Sequence, residues 1–332
     1  MARGTRALVT GGCGFVGSHL VDALVEDGLP VTILDDLSTG KVDNVREHVD
    51  AGSARLVRGS VLDSALVADL VSEADVIYHL AAAVGVRHIV RDPIRSALTN
   101  VRGTENVLGA AFERRVPTLL TSSSEVYGRS THAPFREDGE RVLGPTWVHR
   151  WSYSTAKAMD EHLAFAYADA GLPVVVVRYF NAYGPRLDER GYGSVVARFA
   201  AQALAGEPIT VHGDGSQTRC FTYVEDTVRG TILGLNSAEA RGKAFNIGAS
   251  QEISILDLAR LIRELTGSRS EIRRVSYESY YGAGFEDTPR RVPDTRLASA
   301  VLGFTANVPL RDGLRTTVDW CRSNFVVNST VG

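Results

Sequence analysis

The chain has 332 residues, of which 44% are hydrophobic, and it carries a formal net charge of −3 at pH 7. This length allows one large α/β domain or two domains with a sizeable core. The 36 basic residues form no run of five or six, which argues against a nucleic-acid partner, and no apolar stretch is long enough to span a bilayer. A small molecule is therefore the expected partner, with no nucleic acid and no membrane.

Cysteine and histidine usage bears on redox compartment and on metals. Cys13, Cys220 and Cys321 stand far apart without metal-ligand spacing, and the eight histidines show no ligand-like pairing. A strand pattern begins almost directly after Met1. These features predict a reduced, cytoplasmic protein without a metal site.

The first part of the chain, to about residue 178, alternates short β-branched runs with helix-length amphipathic stretches. Near-continuous apolar strands separated by helices predict a parallel sheet covered on both faces, which is a doubly wound α/β (Rossmann) fold. The strand runs are ALVT, VTIL, ARLV, DVIYHLA, VPTLLTSS and PVVVVRYF.

Beyond residue 179 the sequence becomes rich in turns, with helices predicted near 194–205 and 254–266 and irregular stretches near 279–294. This texture predicts a smaller C-terminal α/β domain that binds the substrate. The predicted domains are 1–178 and 179–332, with segments near 225–250, including KAFNIG, returning to the main sheet.

The stretch TGGCGFVG follows the first strand and opens a helix, placing Gly11, Gly14 and Gly17 at three-residue steps. Such glycines let the turn fold tightly and let the backbone approach a pyrophosphate at the helix amino end. The second strand ends in Asp35, close to the offset of about 20 residues at which an acid binds ribose hydroxyls. An acid there repels a ribose phosphate, so the pattern favours NAD over NADP. Cys13 is interpreted as a small filler of the turn, because no basic neighbour would activate its thiol.

The stretch YSTAK places Tyr153 four residues before Lys157, on one face of a helix. An ammonium near a phenol lowers the phenol pKa from about 10 toward the range of a general base. The chain has only three lysines, so a lysine here indicates a role that a guanidinium would not fill. The alternative interpretation is an exposed helical pair.

The glycine steps resemble those of the extended short-chain dehydrogenase/reductase superfamily. That resemblance implies that Ser123, in TSSSEVYG, holds a substrate hydroxyl while Tyr153 takes its proton and NAD takes the hydride. The family usually has an acid where this chain has Ser60. Besides the three glycines and Asp35, the implied cofactor site comprises Phe15, Val16, Asp36, Ser60, Val61, Leu80, Ala81, Ala82, Tyr153 and Lys157.

Three further motifs, RYFNAYGPR, AGEPITVHGDGSQTRCFTYVED and RVPD, are similar to those of nucleotide-sugar epimerases, dehydratases and decarboxylases, and this similarity covers essentially the whole chain. It implies that Asn181 and Arg219 hold the diphosphate of a nucleotide sugar, for which a planar guanidinium is well suited. Arg186 is equally compatible with a surface turn and with a substrate role. The remaining implied substrate residues are Val195, Val211, His212 and Arg291.

The pair Ser124 and Glu125 distinguishes the branches. Sugar 4,6-dehydratases carry an Asp-Glu pair here, and simple 4-epimerases usually lack the glutamate. The Ser-Glu pair, together with SYYGAGFEDTPRRVPD and its Arg291, resembles the UDP-glucuronate decarboxylases. Oxidation at carbon 4 makes carbon 6 the carboxylate of a β-keto acid, which loses carbon dioxide readily. The resemblance implies that Ser124 and Arg291 meet that carboxylate, that Glu125 and Arg291 orient it, and that the product is a UDP-pentose or its 4-keto form.

Alternatives stay open from the sequence. HLAAAVGVR is typical of epimerases, and HRWSYSTAK differs from the commonest xylose-forming decarboxylases, so a 4-epimerase of UDP-glucuronate or UDP-glucose is the second hypothesis. A 4,6-dehydratase and a non-catalytic nucleotide-binding protein rank below it, since Ser123, Tyr153 and Lys157 are all present. The base of the nucleotide also stays open.

The family resemblance also implies a homodimer. Helices predicted near 101–115 and 153–169 would pair with their copies in a four-helix bundle. Small residues that would permit close approach of these helices are Ala110, Ala111, Ala158 and Ala166.

Overall fold

A computed structural model of the chain describes residues 4–84, 92–188, 194–277 and 288–325. Its strands are β1 (Ala7–Thr10), β2 (Val31–Asp35), β3 (Ala54–Arg58), β4 (Val76–His79), β5 (Thr118–Ser123), β6 (Val174–Tyr179), β7 (Ala182–Tyr183), β8 (Ile209–His212), β9 (Thr218–Cys220), β10 (Thr222–Tyr223), β11 (Ala244–Ile247), β12 (Glu252–Ser254), β13 (Ile272–Val275) and β14 (Arg290–Arg291).

The helices divide between the two parts of the chain. They are α1 (Phe15–Glu26), α2 (Arg46–Asp50), α3 (Ser64–Ser72), α4 (Pro93–Arg114), α5 (Ser152–Asp169), α6 (Val195–Leu204), α7 (Val224–Asn236), α8 (Ile255–Thr266), α9 (Arg296–Leu302) and α10 (Leu310–Asn324). None of those within the described ranges is long and apolar enough to cross a membrane.

Seven strands form the central sheet in the order β11, β6, β5, β4, β1, β2, β3, and every pairing is parallel. All six predicted strands lie in it, and the KAFNIG segment supplies β11 beside β6. The apolar runs explain this arrangement, because strands buried on both faces need apolar side chains in both directions. The predicted doubly wound fold is confirmed.

Alternate residues of each strand feed two separate cores, one on each face of the sheet. Along β6, Val175 and Val177 belong to one hydrophobic cluster, while Val174 and Val176 belong to the other. Helices α1 and α7 cover the first face, and α3, α4 and α5 cover the second. This alternation follows from the two-residue period of a strand.

The C-terminal part packs small sheets against helices. Strand β8 pairs with β13, and β9 lies between β12 and β14. The helices predicted near 194–205 and 254–266 are confirmed as α6 and α8. Of the stretch predicted to be irregular, 279–287 lies outside the described residues, and 288–294 contains β14. The boundary between the two domains stays a prediction.

One helix start was predicted wrongly. Helix α4 begins at Pro93, eight residues before the predicted 101, because Asp92 caps it by accepting a hydrogen bond from Arg95 N and because proline suits the first helical position. Helix α5 begins within one residue of its prediction.

Candidate active site

A cleft of about 380 Å³ lies at the carboxyl ends of the central strands. Ligands of open α/β sheets bind at this edge. The cleft is lined by Gly14 and Phe15 at the start of α1 and by Ser123 and Tyr153 near the end of β5. The predicted cofactor turn and the predicted reactive centre therefore open into one space.

The glycine turn is built so that side chains would not fit. Gly11 has φ +73°, and a Cβ there would lie 2.7 Å from Ala81 N. A Cβ on Gly17 would lie 2.1 Å from Gly11 O, so the helix could not pack against the turn. No side chain of the described residues caps α1 at Gly14, which leaves its first-turn N–H groups suited to a phosphate.

Asp35 is fixed at the end of β2, behind this turn. One carboxylate oxygen accepts a hydrogen bond from Cys13 N at 2.9 Å and the other from Leu37 N at 2.8 Å. Burial raises the pKa of Asp35 against the effect of these two donors. The glycine cradle and this acid together fit a dinucleotide with free ribose hydroxyls, as predicted. Burial and the nearby Asp35 raise the pKa of the Cys13 thiol to about 12, which agrees with its interpretation as an inert filler.

The other predicted cofactor residues lie around the same edge. Leu80 and Ala81 follow β4, where their N–H groups donate to the Thr10 carbonyl and hydroxyl oxygens. Ser60 is half-buried, and its hydroxyl accepts a hydrogen bond from Leu62 N. The side chain of Val61 is buried in the core, so only its backbone can face an adenine. Phe15, Val16 and Ala82 are half-buried, and Asp36 is exposed.

Tyr153 hydrogen-bonds to Ser123, as the predicted catalytic arrangement requires. Burial raises the pKa of the Tyr153 phenol, and the carboxylates of Glu125 and Asp160 raise it further, while the bond to Ser123 opposes them. The predicted lowering of this pKa by Lys157 is not what the structure shows. The Lys157 ammonium instead donates to Asp160 at 2.7 Å.

Glu125 lies between two arginines. Arg291 Nη1 donates to Glu125 Oε1 at 2.6 Å, and Arg150 Nη2 lies 2.6 Å from Oε2. Both arginines are buried, and the Glu125 side chain is 19% exposed. Burial disfavours ionisation, but the two guanidinium groups outweigh it and lower the pKa of Glu125 to about 2. Glu125 is therefore an ionised anchor for two arginines at neutral pH, not a proton donor.

The sequence reasoning missed Arg150. It lies on the 3₁₀ turn His149–Trp151, immediately before α5, and it lines the cleft together with Arg291. Its position three residues before Tyr153 was a signal that could have been found. Two guanidinium groups and one carboxylate leave a net charge of +1 at this end of the cleft.

Two predicted phosphate ligands lie near this centre. Asn181 lines the cleft with φ 42°, and its side-chain amide donates to Cys220 O at 2.9 Å. Arg219 is buried on β9, where it is the register partner of Arg291 on β14. Arg186 also lines the cleft and forms an ion pair of 2.7 Å with Asp22 of α1, so both of its interpretations stay open.

The remaining predicted substrate residues do not all present a side chain to the cleft. Val211 is fully buried in the hydrophobic core, so its side chain cannot contact a base. His212 is buried and meets Tyr277 edge to face, with ring centroids 6.0 Å apart. Val195 is half-buried at the start of α6, and Ser124, although buried, is among the residues that line the cleft. Within the described ranges, no three His, Cys, Asp or Glu side chains are arranged to hold a metal ion.

Comparison with known proteins identifies a matching family and relatives of similar sequence. The NAD dependent epimerase/dehydratase family matches residues 7–248. The chain is 43% identical to the UDP-N-acetyl-alpha-D-glucosaminuronate decarboxylase of Bacillus cytotoxicus, covering 96% of this chain and 98% of the relative. It is 39% identical to UDP-glucuronic acid decarboxylase 1 of Xenopus tropicalis, covering 96% of this chain and 73% of the relative.

Solved structures of similar fold include 4-epimerases. UDP-glucuronic acid 4-epimerase of Bacillus cereus, solved with UDP-glucuronic acid and NAD, superposes with a TM-score of 0.86 at 29% identity, covering 96% of this chain and 99% of the other. UDP-glucose 4-epimerase of Thermotoga maritima, solved with UDP-glucose, superposes with a TM-score of 0.87 at 32% identity, with the same coverage.

Proposed function

Because the chain belongs to the NAD dependent epimerase/dehydratase family, we propose that it binds NAD and removes carbon dioxide from a UDP-linked hexuronate. The substrate is UDP-glucuronate or its 2-acetamido counterpart, the two sugars after which the decarboxylase relatives are named. The 4-epimerase hypothesis is kept as the alternative, since solved epimerases share the fold.

The observation that carries the proposal is the group of Glu125, Arg150 and Arg291 beside Ser123 and Tyr153. A sugar oxidised at carbon 4 by the Tyr153 centre would place carbon 6 within the same cleft. The net charge of +1 suits a carboxylate on that carbon, and a guanidinium binds carboxylate oxygens in a planar fork. A sugar whose carbon 6 is neutral, such as that of UDP-glucose, would offer no carboxylate to pair with these two buried guanidinium groups.

The chain's own groups account for the proton steps. The deprotonated Tyr153 phenol accepts the proton of the carbon 4 hydroxyl, which Ser123 holds by a hydrogen bond. NAD, when bound, would supply the acceptor for the hydride of carbon 4. The residues that would hold NAD are the glycine turn, Asp35 and Lys157.

Decarboxylation then requires little further chemistry. The bond between carbons 5 and 6 breaks, carbon 6 leaves as neutral carbon dioxide, and the electron pair moves onto the carbon 4 oxygen as an enolate. Carbon 5 then takes a proton from water, which gives the 4-keto pentose. Ser123 and the now protonated Tyr153 donate hydrogen bonds to the enolate oxygen. The raised pKa of Tyr153 favours this protonated state, and the same shift makes the deprotonated phenol needed for the first step the minor form at neutral pH.

Glu125 has a specific electrostatic role in this scheme. Two unopposed arginines would bind the carboxylate strongly in the ground state, and that attraction is lost when neutral carbon dioxide forms. Glu125 takes up part of their charge and fixes both guanidinium groups in place. The site thus binds the carboxylate without holding it too tightly to react.

The proposal is tested by incubating the protein and NAD separately with UDP-glucuronate, UDP-N-acetylglucosaminuronate and UDP-glucose, followed by mass spectrometry of the products. Loss of one carbon dioxide from either hexuronate supports the decarboxylase. An unchanged mass with inverted stereochemistry identifies the epimerase, and loss of water identifies a dehydratase. Tyr153→Phe serves as the inactive control.

A homodimer in the cytoplasm remains the proposed assembly and location. Helices α4 and α5 pack side by side, and they expose Ile94 at 73%, Leu98 at 42% and Met159 at 45%, an apolar surface suited to a second copy. Of the small residues expected to face the partner, Ala111 and Ala158 are instead buried within the subunit. Light scattering that gives a monomer at micromolar concentration would contradict the dimer.

A further inference from the structure

A buried ion pair lies directly beneath the reactive tyrosine. Lys157 Nζ and Asp160 Oδ2 are 2.7 Å apart, and the two side chains are 2% and 0% exposed. The two residues are one turn apart on α5, and Lys157 is itself one turn after Tyr153. The ammonium that is expected to assist the phenol is therefore bound by a carboxylate inside the protein.

The other charged groups near this pair are already matched. Glu161, on the same helix, forms two hydrogen bonds with Arg178 of β6, at 2.9 and 2.6 Å. Glu125 is bound by its two arginines. Asp160 is thus the carboxylate that acts on Lys157, and Lys157 is its ionic partner.

The remaining neighbours come from β4, α4 and the sheet edge. His79 of β4 bonds to Thr104 of α4 at 3.1 Å and to Thr10 of β1 at 2.7 Å, and the Thr104 hydroxyl also faces Asp160. Burial and the Lys157 charge lower the pKa of His79 to about 3, so His79 is neutral at physiological pH. Apart from Glu161, which is paired with Arg178, these neighbours of the pair are therefore neutral hydrogen-bonding groups.

We propose that Asp160 is a positioning residue of the reaction: its carboxylate holds the Lys157 ammonium inside the protein and limits the help that this ammonium gives to Tyr153 as a base. This inference rests on the proposed role of Tyr153 in oxidising carbon 4. Asp160 thereby sets the pH range in which the enzyme works, together with Tyr153 and Lys157.

The Lys157 ammonium alone would favour the phenolate, whereas a carboxylate at 2.7 Å cancels most of that field. The pKa of Tyr153 is accordingly raised, first by burial and then by the carboxylates of Glu125 and Asp160. Removing the Asp160 charge leaves Lys157 free to stabilise the phenolate, so Tyr153 would lose its proton at lower pH.

Asp160→Asn is the decisive variant, because asparagine keeps an oxygen that accepts a hydrogen bond from Lys157 and removes only the charge. In the pH profile of kcat/KM with UDP-glucuronate, the acid limb should move to lower pH by about one unit or more. Asp169→Asn is the matched control. It removes an exposed carboxylate from the same helix, nine residues further on and about 14 Å along the axis, which is more than a Debye length.

A second readout needs neither substrate nor cofactor. The ultraviolet absorbance of tyrosinate is followed as the pH is raised, for the wild-type protein and for Asp160→Asn. The same titration is run on each protein with Tyr153→Phe added, and the difference between the two curves reports Tyr153 alone. The midpoint should be lower in Asp160→Asn. If no hexuronate is decarboxylated, the proposed function fails while this titration still tests the inference about Asp160.

Asp160→Glu keeps the charge and covers the case in which the asparagine variant does not fold. It should retain the wild-type acid limb and tyrosinate midpoint to within a few tenths of a unit. The inference is overturned if Asp160→Asn lowers the melting temperature but leaves both midpoints at the wild-type values. It is equally overturned if Asp160→Glu, although folded, shifts the midpoints by about a unit.

Discussion

Replacing Glu125 by glutamine tests the arrangement of the site most sharply, because glutamine keeps the shape of the side chain and removes its charge. Arg150 and Arg291 lower the pKa of Glu125 from 4.5 to about 2 against the effect of burial. That difference corresponds to about 3 kcal/mol between the charged and neutral forms, at about 1.4 kcal/mol per pKa unit. Since the folded-state pKa is the lower one, this stabilisation is complete above about pH 4.5 and is lost as the pH falls toward 2.

Glu125→Gln should therefore be less stable at neutral pH by up to about 3 kcal/mol, which lowers the melting temperature by several degrees. Its kinetics should change in a specific way. The two unopposed arginines still bind the substrate carboxylate, so KM for UDP-glucuronate should not rise. Because that attraction is lost as carbon dioxide forms, kcat should fall about 100-fold, the equivalent of about 3 kcal/mol.

The assay is steady-state product formation by chromatography, with binding of UDP-glucose measured by calorimetry as an internal reference that lacks the carboxylate. UDP-glucose should bind equally to both proteins. Glu207→Gln, at an exposed loop glutamate, is the control for loss of one negative charge. A rise in KM with unchanged kcat, or unchanged kcat and melting temperature, would refute the reasoning about Glu125.

Four further outcomes are expected. Arg291→Ala should raise KM for UDP-glucuronate at least about tenfold, because the substrate carboxylate loses a guanidinium partner. It should leave the affinity for UDP-glucose, which lacks that carboxylate, within about twofold of the wild-type value. Gly17→Ala should abolish NAD binding in a fluorescence titration, because the added Cβ would lie 2.1 Å from the carbonyl oxygen of Gly11. Gly109→Ala is the control and should bind NAD normally, because its Cβ would lie 3.6 Å from the nearest atom. Asp35→Ser should narrow the preference for NAD over NADP, and equal affinity of the wild type for both would contradict this assignment. Between pH 5 and 9 the pH profile of the decarboxylation rate should show no titration of Glu125, whose pKa is about 2. A titration in this range that depends on Glu125 would contradict its role as an ionised anchor.

Much of the fold and part of the site follow from local patterns. The glycine turn depends on spacing within seven residues, and Tyr153 and Lys157 lie one helical turn apart, so both could be predicted from short stretches. The strands were equally accessible, because β1 and β6 contain short apolar runs, the latter beginning with four consecutive valines. These features need no knowledge of what the rest of the chain does.

The contacts that define the reactive centre are long-range or depend on side-chain choice. Arg291 bonds to Glu125 across 166 positions of sequence, which no spacing rule relates. The closeness of Arg150 to Tyr153 in the sequence was a usable signal, but its ion pair with Glu125 is a tertiary contact that this spacing does not show. The position of the Lys157 ammonium was also inaccessible, since the sequence offers it both a phenol and the carboxylate of Asp160, and the packed structure selects the carboxylate.

The most direct test of decarboxylation follows carbon 6 itself. UDP-glucuronate labelled with carbon-14 at carbon 6 is incubated with the protein and NAD, and the trapped gas and the remaining nucleotide sugar are counted separately. We expect the label to leave as carbon dioxide in step with the appearance of an unlabelled UDP-pentose or its 4-keto form, and not to leave with Tyr153→Phe. Label retained in a nucleotide hexuronate of inverted configuration at carbon 4 would contradict the decarboxylase and identify an epimerase.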